Sequence, residues 1–79
     1  MAMTTFIKIS ITYYENNPRF SYGRIDIDTH GLSLGHGMEV SEAEEELRKL
    51  QRKLGKEPIR TVSPHNPNIT FVELYGFID

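Results

Sequence analysis

The 79-residue chain contains no cysteine and no tryptophan. Without cysteine there is no disulfide framework, no thiol nucleophile and no thiolate metal site. No apolar run approaches the roughly 20 residues that a membrane-spanning helix requires. A basic-then-apolar leader pattern is missing from the N-terminus. These absences predict a soluble, cytoplasmic protein. An excess of positive charge is also lacking: the formal net charge is −2 and the pI about 5.9. That balance counts against general nucleic-acid binding, whose affinity rests on neutralised phosphates. The length suits one small domain, and a domain this size buries only about 60% of the surface its unfolded chain exposes. Met1-Ala2-Met3 holds two start codons' worth of methionine, so Met1 and Ala2 are set aside as expression-derived.

What is present reads as strands around one helix. Over 5–14 (TFIKISITYY) Ile7, Ile9, Ile11 and Tyr13 alternate with Phe6, Lys8, Ser10, Thr12 and Tyr14, the period-two pattern of a half-buried strand. Glu15-Asn16-Asn17-Pro18 predicts a short hairpin turn, followed by a second strand from about Arg19 to Asp28. Phe20 and Tyr22 share one phase of that strand and Ile25 and Ile27 the other, with Gly23 at the slip. A β-bulge at Gly23 would turn both pairs to one side; an unbroken strand would leave Phe20 and Tyr22 on the outer face. Residues 29–40 (THGLSLGHGMEV) carry three glycines and predict a loop, with a short strand at Leu32–Leu34 as an option.

A helix follows. Ser41-Glu42-Ala43-Glu44 matches the capping box, and Ala43, Leu47, Leu50 and Leu54 form one apolar stripe. Acids precede bases along it, as the helix dipole favours, and Gly55 and Pro58 mark its end. Glu44–Arg48 and Glu45–Lys49 have the spacing of i,i+4 ion pairs. Residues 59–63 predict a short strand, and 64–68 (PHNPN) a turn. In the last strand, Ile69–Ile78, both phases are largely apolar, which places it mid-sheet or between a helix and a partner. If it lies at an edge, it offers a template for pairing with another chain. Phe71, Leu74 and Phe77 are expected in the core. The order β-β-(β)-α-β-β predicts an α+β fold: a single amphipathic helix on one face of a mainly antiparallel sheet of four or five strands.

Catalytic and metal chemistry finds little footing. Asp26, Asp28 and His30 are spaced by two, so a continued strand would project them from one face, with His36 six residues on. The same aspartates are equally what the solvent side of any antiparallel strand carries, and no HxH or HExxH motif accompanies them. No serine sits in G-x-S-x-G or S-x-x-K, and His65 lies in a turn with no acid near it in sequence. Glu73, within an apolar strand, would have a raised pKa if buried, but is expected to face solvent or pair with a base. Gly31, Gly35 and Gly37 match neither G-x-G-x-x-G nor the P-loop, and the glutamates on the following helix would repel phosphate. No enzyme activity, cofactor or metal is therefore expected.

Two binding readings remain. With one helix to cover the sheet, the opposite face displays large aromatic side chains, which favours protein–protein contact. Tyr14, Phe20, Tyr22, Arg24 and Lys8 are the expected contact residues, the partner being another protein or a second copy of the chain. The alternative is single-stranded nucleic acid held by the same face together with the basic half of the helix: Arg48, Lys49, Arg52 and Lys53. The size, the dense β-hairpin and the missing catalytic motifs resemble, in general character, small accessory proteins of bacteriophages and mobile elements. That likeness implies a host protein as partner and assigns no residue.

Overall fold

The computed structural model describes residues 4–78; the reading of Met1 and Ala2 falls outside them. The elements are β1 (Thr5–Tyr14), a 3-10 turn (Pro18–Phe20), β2 (Tyr22–Thr29), β3 (Leu32–Met38), α1 (Val40–Leu54), β4 (Ile59–Val62) and β5 (Ile69–Ile78). The strands form one antiparallel sheet in the order β3-β2-β1-β5-β4. This is the α+β arrangement read from the sequence, with the optional third strand present.

β1 and β5 pair over their full length, from Thr5↔Ile78 to Tyr14↔Ile69. In-register partners share a face of the sheet. Ile7, Ile9 and Ile11 therefore lie beside Gly76, Leu74 and Val72, and on the other flank beside Ile27, Ile25 and Gly23. The helix lays its stripe on this side, against β1, β2 and β5. Ile9, Ile11, Ala43, Leu47, Leu50, Val72 and Leu74 make the buried core.

Gly23 shows how closely the two layers approach. A Cβ built there would collide with the Cβ of Ala43, so the helix rests on bare backbone. Gly76 does the same service for Leu54, whose Cδ1 would lie 2.8 Å from an added Cβ. No bulge forms at Gly23: the β1–β2 register is continuous from Thr5↔Thr29 to Thr12↔Tyr22. The phase slip in the sequence instead marks where the strand begins. Pro18 starts a 3-10 turn, closed by the Ser21 N–H donating to the Pro18 carbonyl at 3.0 Å. Phe20 belongs to that turn, and β2 starts at Tyr22 rather than near Arg19.

The glycine-rich stretch is a seven-residue strand, not a loop. His30 (φ 54°) and Gly31 (φ 77°) are both left-handed and form the two-residue turn from β2 to β3. Two positive φ values in succession describe a type I′ turn, whose twist matches that of the flanking strands. The hairpin so fixed carries the chain through Gly35 and Gly37 in extended form.

The capping box at Ser41 and Glu44 does not form. The helix starts a residue before Ser41, with Glu39 as N-cap, and the Ala43 N–H donates to the Glu39 carbonyl at 2.9 Å. Glu44 is drawn away by Tyr13, whose hydroxyl donates to Glu44 Oε2 at 2.7 Å. The expected i,i+4 pairs are replaced too, since Lys49 sits 3.4 Å from Glu46, an i,i+3 partner. The C-terminus follows expectation: Gly55 (φ 66°) is left-handed, and its N–H donates to the Gln51 carbonyl.

β5 is an interior strand, so the edges of the sheet are β3 and β4. Of the three aromatic and aliphatic residues expected in its core, only Leu74 is buried. Phe71 and Phe77 share the opposite phase and face solvent.

Candidate functional site

The sheet face opposite the helix collects the odd-numbered side chains of β5 (Ile69, Phe71, Glu73, Tyr75, Phe77) and the even-numbered ones of β1 (Phe6 to Tyr14). Tyr22, Arg24, Asp26 and Asp28 of β2 join them, as do Ile59 and Thr61 of β4. β3 contributes Ser33, Gly35 and Gly37, which leave its part of the face nearly flat.

Along the strands the face has three zones. At one end Phe6 packs between two aromatic neighbours, with ring centroids 5.3 Å from Phe77 and 6.2 Å from Tyr75. The Phe6–Phe77 contact is edge-on, at an interplanar angle of 66°, a favourable aromatic geometry. Phe77 nonetheless remains 68% exposed and Tyr75 41%. At the other end, six residues or roughly 20 Å along the strands, lie Tyr22 and Phe71, with Tyr14 two residues beyond. Between them is a charged waist. Lys8 Nζ lies 3.4 Å from Glu73 Oε2, and Arg24 Nε lies 3.0 Å from Asp26 Oδ1. The Arg24–Asp26 pair lies across Gly35, where an added Cβ would meet both side chains. Each cation of the waist is thus matched by an acid.

Of the contact residues expected from the sequence, Lys8 and Arg24 sit in the waist, and Tyr14 and Tyr22 at the far end. Phe20 is exposed in the adjoining 3-10 turn rather than on a strand. That turn is tied to the sheet by the Tyr14 N–H, which donates to Ser21 Oγ at 2.9 Å. Phe6 is on this face as the alternation of β1 has it, and the structure adds Phe71, Tyr75 and Phe77 of β5. A signal for them was present: Glu73 shares their phase, and a charge within an apolar strand marks the solvent side. Gly76 marks the other phase as the one that lies under the helix.

The four basic helix residues Arg48, Lys49, Arg52 and Lys53 are exposed. They lie on the helix layer, on the opposite side of the sheet from the aromatic face. Arg48, Arg52 and Lys56 line one open cleft of about 470 Å³ at the C-terminal end of the helix, with Gln51, Gly55 and Glu57. The basic half of the helix and the aromatic rings therefore lie on opposite surfaces, and the aromatic face carries Lys8 and Arg24 as its own cations.

The carboxylates and imidazoles read as a candidate metal set do not converge. Asp26 and Asp28 are on the open face, His30 is in the hairpin turn, and His36 pairs with Ile25 on the helix side. Among the described residues no group of three or more His, Asp or Glu side chains is placed to hold a metal ion. Glu73, expected to face solvent or pair with a base, does both through Lys8. The described helix is neither long nor apolar enough to cross a membrane. Comparison with known proteins finds no family model, curated protein or solved structure that matches this chain.

Proposed function

We propose that the chain is a non-enzymatic protein-binding module whose open sheet face docks on a partner protein. The observation that carries this reading is the Phe6–Tyr75–Phe77 group, with Tyr75 and Phe77 exposed, on a face that no helix covers, beside a waist whose charges are internally paired. Exposed aromatic rings supply contact area at low entropic cost and concentrate at the centres of protein interfaces. Paired charges leave no net positive field to favour a polyanion over a protein. The partner is a folded surface with an apolar centre and polar groups to meet Lys8, Glu73, Arg24 and Asp26. By the chain's general likeness to small accessory proteins, that partner is a host protein whose activity the docking modulates.

The test is affinity capture from a host extract with the wild-type chain and with Phe77→Ser, Tyr75→Ser and Tyr22→Ala. The expected result is a partner retained by wild type and lost by the Phe77 and Tyr75 variants, whose melting temperatures stay unchanged. A partner retained equally by all of them would overturn the assignment of the face. Salt-sensitive binding of single-stranded RNA or DNA that Arg48→Glu and Arg52→Glu abolish would support the nucleic-acid alternative instead.

A further inference from the structure

The two edges of the sheet are built differently. β4 has four residues, carries Arg60 and lies between Pro58 and Pro64. Short length, charge and flanking proline are the devices by which natural sheets prevent edge-to-edge pairing. β3 has seven residues, LSLGHGM, with no lysine, arginine, acid or proline among them. It pairs with β2 in unbroken register from Gly23↔Met38 to Thr29↔Leu32, so its outer edge is straight and free of bulges.

We propose that β3 is a self-association edge: two copies of the chain join their β3 strands antiparallel about a two-fold axis, merging two five-stranded sheets into one. The inference concerns a surface other than the aromatic face and does not depend on the partner proposed for that face.

Shape and charge identify a second copy as the occupant, and area sets the strength of the dimer. Leu32, Leu34, His36 and Met38 point to the helix side of the sheet, and Ser33, Gly35 and Gly37 to the open side. Leu32 and Leu34 are 67% and 68% exposed, and Leu34 lines an apolar strip with Ile25 and Ile27. A strand added here must bring large apolar side chains to the helix side and almost nothing to the open side. β3 itself has that alternation: about a two-fold axis at Gly35, Leu32 faces Met38 and Leu34 faces His36 on the helix side, while Gly35 faces its own copy and Ser33 faces Gly37 on the open side. The strand holds no Asp, Glu, Lys or Arg; of the charges beside it on the open side, Arg24 and Asp26 cancel each other across Gly35, and Asp28, beside Ser33, is placed by the two-fold axis at the opposite end of the seam from its own copy. Two copies therefore approach without like-charge repulsion. Seven residues run about 24 Å, and one such edge with its leucines falls short of the ~800 Å² per partner typical of standard interfaces. The dimer is accordingly reversible and concentration-dependent.

Sedimentation velocity on the full chain over a dilution series, with wild type, Leu34→Lys and Phe77→Ser, tests this. Wild type and Phe77→Ser should pass from monomer to dimer as concentration rises. Leu34→Lys should weaken the dimer on the order of 100-fold, equivalent to about 2.7 kcal/mol, with its circular dichroism melt unchanged. Should Leu34→Lys unfold, Ser33→Lys places a charge on the other side of the same edge without removing an apolar group, and the same loss of dimer is expected. In wild type, β3 amides should gain hydrogen-exchange protection at the concentrations where the dimer forms. A chain that stays monomeric throughout overturns the proposal. So does a dimer that survives both lysine substitutions, or one that Phe77→Ser breaks and Leu34→Lys does not.

Discussion

Tyr13 links sheet and helix through a single hydrogen bond, and its titration makes that link measurable. Burial first, and then the bond to Glu44 and the nearness of its negative charge, push the phenol up from 10.0 to about 12, against a lowering by Arg60. The folded chain therefore holds this proton more tightly than the unfolded chain does. The associated stability is fully present below pH 10 and is lost as pH rises from there through about 12. Replacing Tyr13 with Phe should flatten the wild-type decline across that window and cost about 1 kcal/mol at neutral pH. Denaturant titrations at neutral and high pH read both effects, and equal declines in the two proteins would exclude Tyr13 as the cause. Gly23 makes a second residue-scale test. Gly23→Ala forces a methyl group against Ala43 and should cost about 2 kcal/mol, as overpacking does. Adding Ala43→Gly removes the collision but weakens the helix by about 1 kcal/mol. The double variant should then be more stable than the sum of the single effects requires, a coupling that a double-mutant cycle measures directly.

At the scale of elements, chain punctuation decides where each strand and the helix stop. Gly55 ends the helix in a left-handed conformation, and Gly31 turns the second hairpin in the same way. Gly31→Val places a β-branched side chain at φ 77° and should cost about 1–2 kcal/mol. In a domain of this size each 1 kcal/mol lowers the melting temperature by about 4–8 °C, so a thermal scan is sufficient. The elements most legible in the sequence were those whose pattern is local: the alternation of β1, the stripe of α1 and the stop at Gly55. β3 was legible only as a short option at Leu32–Leu34, because Gly35 and Gly37 have no side chains from which to read a phase, and pairing with β2 is what holds them extended. The helix start was misplaced because Glu44, which would complete a capping box, bonds instead to Tyr13 from a distant strand. The aromatic face was half legible. Lys8, Tyr14, Tyr22 and Arg24 are where alternation put them, whereas Phe71 and Phe77 were assigned to the core on hydrophobicity alone, against the phase that Glu73 marks.

For the whole molecule, the thin core and the open face are two aspects of one arrangement. The helix reaches across three strands, and the structure extends 47 × 23 × 23 Å. Ile9 and Leu74 lie paired at its centre, 1% and 2% exposed. Truncating either to Ala should cost about 2–5 kcal/mol, a large part of the total for 79 residues at roughly 0.05–0.15 kcal/mol each. By contrast Phe77→Ser on the open face should change stability by less than about 1 kcal/mol. Equilibrium unfolding of the three variants side by side would separate the layers, and a Phe77 cost equal to that of Leu74 would show that the aromatic group belongs to the core.

The central pairing of β1 with β5 has a consequence for synthesis. β1 finds its main partner in β5, and the other strands and the helix all lie between the two in sequence. Emerging from a ribosome, the first hairpins and the helix are all present while Ile9 and Ile11 still lack Leu74 and Val72 beside them. Until β5 is released, β1 is itself an edge, hydrophobic on the side the helix would cover. The nascent protein therefore passes through a stage in which its stickiest strand is uncovered, and folding closes only after the final residues of β5 are free.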